Sequence, residues 1–209
     1  SKTILADVET PLSAYMKLAA GPYSFLFESV QGGEKWGRYS IIGLPARQRV
    51  RVRGTRVTLE RDGVAPTDFE SEDPLAEVEA QHAKFRSAPI EGLPVFHGGL
   101  VGYFGYDVVR YVETKLEQHD QTDALSTPDI LLLVAEEVLV FDNLAGTLTM
   151  VVTANAEEPD ARVAALARLE VLEHQLPQPG PSLEPISLDG AGLEAIEATA
   201  RYHTDPSQF

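Results

Sequence analysis

Apolar and polar residues alternate along much of this chain with a period of two, which is the spacing of β-strands. The clearest example is RQRVRVRGTRVTLER, residues 47–61, where Arg47, Arg49, Arg51 and Arg53 alternate with glutamine and valine. All four arginines therefore leave one face of a strand. The Gly-Thr pair that follows predicts a turn, and the apolar face resumes after it. This segment is therefore predicted to be a β-hairpin.

Helical spacing is confined to a few segments. Thr10-Pro11 is typical of a helix start, with threonine as the N-cap and proline in the first turn. A second helix is predicted over residues 73–88, and a third over residues 157–176 with its apolar side chains on one face. The side chains predicted for that face are Val163, Leu166, Leu169 and Leu172.

Short apolar runs predict the remaining strands. Because these strands occur in hairpin-sized pairs with helices placed irregularly between them, an α+β fold with mainly antiparallel sheet is predicted. The strand segments are YSFLFES (23–29), RYSIIGL (38–44), the start of FHGGLVGYFGYDVVRYVE (96–113, turning helical at Asp107), and DILLLVAEEVLVFDNLAGTLTMVVTA (129–154, with a hairpin turn near 143–146).

Composition narrows the classes of partner. The chain has 209 residues, of which 44% are hydrophobic, and a net charge of -15. A field of that sign repels phosphate backbones and anionic lipid, so neither nucleic acid nor a membrane is an expected partner. The absence of cysteines excludes disulfides and thiolate chemistry. Without a membrane-length apolar run or a signal-like N-terminus, a soluble cytoplasmic protein is expected.

The remaining motifs give no convincing catalytic site. The glycine-rich HGGLVGYFGYD (97–107) lacks the pattern of a phosphate or dinucleotide loop, so its glycines are interpreted as permitting bulges or close strand packing. The histidines are scattered without metal-binding spacing, and no GxSxG elbow is present. Glu136 and Glu137 are adjacent on a predicted strand and should point to opposite faces. No catalytic residue and no metal ligand is therefore predicted.

The arginines form a basic island in an acidic chain. Eight of the 17 basic residues lie between Lys35 and Arg61. Since no aromatic residues alternate with the arginines of the strand, they are weak evidence for nucleic-acid binding. We interpret them as a solvated outer face or as a face that packs on an acidic neighbour.

One loop carries more chemistry than a turn requires. It lies within FESVQGGEKWGRYSIIG, residues 27–43. As a structural feature it is a hairpin connection, with glycines at the turn and Trp36 covering the core. As a site it would bind a small zwitterion: Glu28 would accept from an ammonium, Ser29 would donate or accept, and Arg38 would meet a carboxylate. The residues alone leave both interpretations open.

This loop and three further segments resemble the N-terminal region of anthranilate synthase component I, which carries a pattern similar to LLES…GEKWGRYSFIG. The other three are TPLSAYMKL, GGLVGYFGYDVVRYVE and PDILLLVAEEVLVFDN, and the four together span residues 10–143. The related aminodeoxychorismate synthase component I shares this domain, but its loop is less similar. The resemblance implies antiparallel sheets packed orthogonally as a sandwich, with flanking helices.

The resemblance also implies a binding site for an inhibitor. Tryptophan is the feedback inhibitor of this family, and the Leu-Glu-Ser element that contacts it matches Glu28 and Ser29, with Phe27 in place of the usual leucine. A second contact comes from the start of the following strand, where the family residue is often lysine. The matching residues for that contact are Trp36, Gly37, Arg38 and Tyr39.

The domain organisation implied by the resemblance has two parts. Residues 1–180 would be the regulatory domain, and residues 181–209 a proline-containing linker and the start of a chorismate-binding domain. That second domain carries the family's catalytic residues and Mg²⁺ ligands, so this chain alone is expected to be inactive and to bind no cofactor. The whole enzyme would convert chorismate and ammonia, or glutamine through a glutamine amidotransferase subunit, to anthranilate and pyruvate in tryptophan biosynthesis.

Two alternatives remain open at this level. The first is the equivalent domain of aminodeoxychorismate synthase component I in the folate pathway. The second is a stand-alone module that senses an amino acid or docks on a protein, with the arginine strand meeting an acidic partner.

Overall fold

A computed structural model describes residues 1–28, 37–85, 90–116 and 126–181 of the chain. These residues form two five-stranded antiparallel sheets flanked by helices, which confirms the predicted α+β class. Sheet 1 runs in the order β1 (Lys2–Leu5), β10 (Thr147–Val152), β9 (Glu137–Asp142), β3 (Tyr39–Gly43) and β2 (Phe25–Glu28). Sheet 2 runs in the order β6 (Val64–Glu70), β5 (Arg56–Arg61), β4 (Gln48–Arg53), β8 (Ile130–Ala135) and β7 (Gly99–Phe104).

The first two helices begin where the sequence predicts, while the helix predicted from residue 157 begins at Ala161. At the first helix the N–H of Ser13 donates to Thr10 Oγ1 over 3.1 Å, and the Thr10 N–H donates to Ser13 Oγ over 2.9 Å. This reciprocal capping satisfies backbone donors that a helix leaves unpaired. At the second helix Asp73 Oδ1 accepts from the N–H of Ala76. The helices are α1 (Pro11–Leu18), α2 (Pro74–Ala83), α3 (Val109–Val112) and α4 (Ala161–Gln175), and single 3₁₀ turns, Tyr106–Val108 and Thr114–Leu116, flank α3.

Strand alternation divides the core into layers. On β9, Leu139 and Phe141 face α1 and α4, whereas Val138 and Val140 face the other way and pack near Val101 of β7. A third cluster lies between sheet 2 and α2. Sheet 1 is therefore buried on both faces along its central strands, as the continuous apolar run of β9 requires.

One residue separates β8 from β9, so the chain passes directly from sheet 2 into sheet 1. The corner residue is Glu136, whose carbonyl accepts from the N–H (2.8 Å) and hydroxyl (3.0 Å) of Thr153. Its carboxylate accepts from Gln48 Nε2 over 3.0 Å, while the carboxylate of Glu137 is held by Arg168. The prediction that these two glutamates point to opposite faces of one strand is wrong, because the strand is interrupted at Glu136 and the two carboxylates lie 3.6 and 3.8 Å from nitrogens of the Arg47 guanidinium. Both side chains serve structural contacts.

The glycine-rich segment is used for close packing, as predicted. A Cβ at Gly102 would lie 1.9 Å from the carbonyl oxygen of Leu131 on the neighbouring strand. Real Cβ atoms do not approach backbone so closely, and only glycine fits at this position of the β7–β8 pair.

The prediction for the third helix is wrong in part. Leu169 and Leu172 are buried, but Val163 and Leu166 are 65% and 51% exposed. A spacing of three residues falls about 60° short of a full helical turn at each step. Of the four apolar positions, those near the start of α4 therefore point away from sheet 1. The sequence pattern does not predict strands β1 and β6, because β1 is short and β6 has no apolar alternation.

Candidate functional site

The strands that flank the predicted site are held in register by sheet 1. β2 pairs with β3, and Glu28 lies opposite Ser40. β3 pairs in turn with β9, and Tyr39 lies opposite Asp142. The positions of these residues are therefore fixed by a continuous ladder of backbone hydrogen bonds.

Part of the predicted site falls outside the described residues. The connection between β2 and β3, residues 29–36, is not described, and two of the predicted inhibitor contacts, Ser29 and Trp36, lie within it. They stay predictions. The predicted contacts that the structure describes are Glu28, Gly37, Arg38 and Tyr39.

Arg38 is bound by an acidic residue that the sequence pattern does not single out. Its Nε donates to Asp142 Oδ1 and Oδ2 over 2.9 and 3.0 Å, and its Nη2 donates to Oδ2 over 2.5 Å. The guanidinium carbon also lies 5.0 Å from the ring centroid of Tyr39, in cation–π range. The pair has no net charge, and among the contacts of the described residues the two N–H groups of Nη1 and one of Nη2 remain free to meet a ligand carboxylate.

The turn after β9 fixes the chain as it leaves the undescribed loop. The backbone N–H of Asn143 donates to the carbonyl of Arg38 over 2.8 Å. Its side-chain amide donates to the carbonyl of Gly37 over 3.4 Å and to the buried Ser40 Oγ over 3.2 Å. Together with Asp142, Asn143 therefore orients Gly37 and Arg38 of the predicted site and the nearby Ser40.

Sequence reasoning misses both of these residues as parts of the site. Asp142 and Asn143 stand at the end of an apolar strand, where aspartate and asparagine are typical of a turn, and the pattern there indicates only a hairpin turn. The signal that could have found them is the pairing of β3 with β9. Without that pairing, a residue about a hundred positions along the chain cannot be placed beside Arg38.

Two of the predicted contacts leave opposite faces of the sheet. Ser40, opposite Glu28, shares its face with Ile42, which packs in the cluster beneath α1 and α4. Tyr39 shares its face with Ile41, which packs towards sheet 2. Since β2 is a four-residue edge strand, a ligand at its end can reach round the edge and contact both faces.

The end of β2 offers an unpaired anion beside apolar surface. Glu28 is exposed, and no basic side chain within the described ranges pairs with its carboxylate. Phe27 and Tyr39 are 53% and 41% exposed, which is unusual for side chains of this size at the end of a buried sheet. A site with these parts can bind a cation that carries an aromatic or aliphatic body.

Hydrogen bonding sets the ionisation of the central pair. The bonds from Arg38 lower the pKa of Asp142 below its ordinary value, and the N–H groups of Ala145 and Leu144 add to this effect. Hydrogen bonding to Asp142 raises the pKa of Arg38 in return. Both groups are therefore charged at neutral pH.

Asp142→Asn is expected to destabilise the fold in a way that depends on pH. The carboxylate stabilises the folded state above the unfolded-state pKa of about 3.9, and this contribution is lost as the pH falls through the lower pKa of the folded state. The asparagine side chain keeps an oxygen that can accept from the backbone N–H groups of the turn, but it carries no charge. Urea unfolding should therefore show the variant less stable than the wild type at pH 7, with a smaller difference in stability at pH 3.

The more exposed pair of Arg56 and Asp68 on sheet 2 provides the matched control. Asp68→Asn should give a smaller gap at pH 7, because exposed ion pairs contribute little. If Asp142→Asn lowered the free energy of unfolding by the same amount at pH 7 and at pH 3, the assigned role of the ion pair would be contradicted.

The arginine strand is neutralised within its own molecule. Val50 and Val52 are buried while the arginines leave the other face of β4, as predicted. The acidic neighbour is mainly the adjacent strand β5, so these arginines are paired within the described part of the chain. The partners are Glu60 and Asp62 for Arg49, Glu60 and the hydroxyl of Tyr23 for Arg51, and Glu136 and Glu137 for Arg47.

Neither a metal site nor a membrane span is found in the part of the chain that the structure describes. No group of three or more His, Asp or Glu side chains there is arranged to hold a metal ion. No helix among those residues is long and apolar enough to cross a membrane.

Comparisons with known proteins give a consistent result. No protein-family model matches the chain. It is 54% identical over 175 residues to anthranilate synthase component 1 of Pseudomonas aeruginosa, which covers 84% of this chain and 36% of that protein. It is 52% identical over 198 residues to anthranilate synthase component 1 of Pseudomonas putida, which covers 95% of this chain and 40% of that protein.

The fold has a counterpart among solved structures. The crystal structure of anthranilate synthase component I from Streptococcus pneumoniae aligns with a TM-score of 0.52 and 26% identity, over 87% of this chain and 38% of that one. The chain thus spans about two fifths of the length of the curated relatives it matches.

Proposed function

Because the chain belongs to the anthranilate synthase component I family, as a part spanning about two fifths of its members' length, we propose that it is the regulatory part of such an enzyme. In this proposal it carries most of the site at which L-tryptophan inhibits the enzyme. The reaction, from chorismate and glutamine or ammonia to anthranilate and pyruvate, takes place on the remainder of the full-length protein. This chain alone is inactive.

The observation that carries the proposal is the exposed carboxylate of Glu28 at the end of an edge strand, which no basic side chain of the described residues pairs and which lies near exposed aromatic side chains. An ammonium group is the natural partner of such a carboxylate, since a charge-assisted hydrogen bond is stronger than a neutral one. Phe27 and Tyr39 give an apolar wall for an indole ring, and offset or tilted aromatic contacts add to the area buried.

The carboxylate of the ligand needs donors at the same place. Ser29, which follows Glu28 directly in the sequence, would supply a hydroxyl, and Arg38 would supply Nη1 while its other nitrogens hold Asp142. Because the Arg38–Asp142 pair is neutral, we assign Arg38 the weaker part and treat Glu28 and Ser29 as the main anchors. Trp36 and Gly37 line the same loop in this proposal.

Inhibition requires tryptophan to prefer one arrangement of the full-length protein. A ligand shifts a conformational equilibrium only by its difference in affinity for the two states. We infer that the regulatory part and the catalytic part both contact the inhibitor. In this proposal the Mg²⁺ and the glutamine amidotransferase subunit implied by the family serve the catalytic reaction, and no residue of this chain is proposed to bind either of them. The reaction takes place in the cytoplasm.

Ser29→Ala in the full-length enzyme is expected to weaken inhibition while leaving anthranilate formation intact. Loss of one hydrogen bond to a bound polar group costs about 1–3 kcal/mol, so the tryptophan inhibition constant should rise roughly five- to a hundredfold. The measurement is the initial rate of anthranilate formation as tryptophan is added.

Ser71→Ala, beyond sheet 2, is the matched control and should leave the inhibition constant unchanged. Unchanged inhibition in Ser29→Ala would sink the assignment of the anchor. Calorimetric titration of tryptophan into the full-length protein and into this chain tests the proposal more broadly. Heat of binding in neither would overturn it, and binding only by the full-length protein would show a site completed by the catalytic part.

A further inference from the structure

The two sheets have four edge strands, and three of them are protected against pairing with another chain. β6 carries Pro66, Asp68 and Glu70 within its seven residues. β1 and β2 are each four residues long, and they carry Lys2 and Glu28 respectively. Proline, charge and short length are the usual ways in which proteins block an exposed sheet edge.

β7 has none of these protections. Its sequence, GLVGYF, contains no charged residue and no proline. Its inner side pairs with β8 along its whole length, from Gly99 opposite Ala135 to Phe104 opposite Ile130. No described strand pairs with its outer side, where alternate N–H and C=O groups therefore point away from the sheet.

Exposed apolar side chains lie on this edge and in the segment that follows it. Tyr103 and Phe104 are neighbours on β7 and leave opposite faces of sheet 2, so both sides of the free edge carry one. Tyr106 is 93% exposed and Val112 is 68% exposed. Such side chains are common singly, but several of them along one short segment favour an interaction surface. We call this group, with the free edge of β7, the β7–α3 patch; its side chains are Tyr103, Phe104, Tyr106, Val109, Val112 and Leu116.

We propose that the β7–α3 patch is the surface on which the remainder of the full-length polypeptide docks. This inference rests on the proposed function, in which a catalytic part accompanies this chain. The relatives are about two and a half times as long as the segment matched here, and in the proposed function the corresponding polypeptide is attached to this chain. A tethered partner binds at high effective concentration, so a small patch can hold it.

The net charge of the chain argues against a second copy of the chain as the partner that binds the β7–α3 patch. A second copy would bring together two chains that each carry a net charge of -15, and that repulsion opposes pairing of β7 with β7. Within the patch the ion pair of Asp107 and Arg110 lies beside the apolar side chains, so the surface itself carries little net charge and suits an apolar partner.

Val112→Asp in the full-length protein tests the proposal. A carboxylate placed in a buried apolar contact is strongly unfavourable, so the thermal midpoint should fall and protease cleavage between the two parts should be about tenfold faster. Val64→Asp is the matched control, because Val64 is 62% exposed on the protected edge strand β6. It should change neither quantity. In the 209-residue chain alone, both variants should unfold as the wild type does.

Hydrogen exchange gives an independent readout. The outer amides of β7 should exchange at least about tenfold more slowly in the full-length protein than in this chain alone, while those of β6 exchange alike in both. Three results would overturn the proposal: equal behaviour of Val112→Asp and Val64→Asp, protection of β7 in this chain that rises with its concentration, or protection that requires the amidotransferase subunit. None of these readouts uses tryptophan, so a failure of the inhibitor site would be seen separately.

Discussion

Glu28→Gln in the full-length enzyme is expected to remove most of the inhibition by tryptophan while the uninhibited rate stays the same. The substitution keeps the shape of the side chain and deletes its charge. Hydrogen bonds to a charged group contribute about 1.5–3 kcal/mol, so the affinity for tryptophan should fall roughly ten- to a hundredfold. The checks are the inhibition constant and calorimetric titration of the same preparation.

Two further results sharpen this test. Glu79→Gln, on the exposed side of α2, makes the same chemical change away from the site and should leave inhibition as it is. Indole, which has the ring of tryptophan but no ammonium, should bind the wild type and Glu28→Gln equally. If Glu28→Gln kept its full response to tryptophan, the ammonium would have to bind elsewhere, and the carboxylate at the end of β2 would have no part in regulation.

Gly102→Ala is expected to be the most damaging small substitution in this fold. The new Cβ would lie 1.9 Å from the Leu131 carbonyl oxygen and 2.9 Å from the Leu132 Cα. Backbone atoms in the middle of a paired strand cannot move aside as a flexible side chain can. We expect a loss of about 3 kcal/mol in the free energy of unfolding, which for a chain of this size is a fall of about 6–12 °C in the thermal midpoint.

Gly21→Ala is the matched control for this substitution. A Cβ there would meet only Pro45 Cγ at 3.5 Å, which is an ordinary contact. The stability of the Gly21→Ala variant should therefore equal that of the wild type or be slightly higher. Equal thermal midpoints for the two variants would mean that β7 and β8 can separate at no cost, and the close approach of the strands would lose its explanation.

Much of the fold could be predicted because local patterns and long-range packing agree. The alternation in residues 47–61 has only one reading, and it forms the hairpin of β4 and β5. The cap at Thr10 is likewise a local signal. β6 is not predicted because its sequence, VAPTDFE, is exposed along almost its whole length. A strand without a buried face shows no alternation of apolar and polar residues. The place of β6 is set by pairing with β5, which the sequence pattern alone does not reveal.

Only those residues of the candidate site that lie on β2, on β3 or in the loop between them could be predicted from the sequence. Glu28, Ser29 and Arg38 stand close together in the chain, and their chemical types suggest a ligand, whereas Tyr39 enters only through the family resemblance. Asp142 and Asn143 reach the site through the pairing of β3 with β9, and nothing near them in the sequence indicates that. The interpretation of Arg38 as a residue free to bind a carboxylate is the one most changed by the structure, because its main partner is a carboxylate of the same chain.

The corner at Glu136 gives this domain a short route between its two surfaces. Residues 130–142 form one extended segment that begins opposite Phe104, on the docking edge, and ends opposite Tyr39, beside Arg38. Neither strand can slip by one residue without turning its buried side chains outward, so the register of both strands is fixed from end to end. In the proposed function, the rim where tryptophan binds and the edge where the catalytic part docks are therefore the two ends of one segment, joined through the single corner residue Glu136.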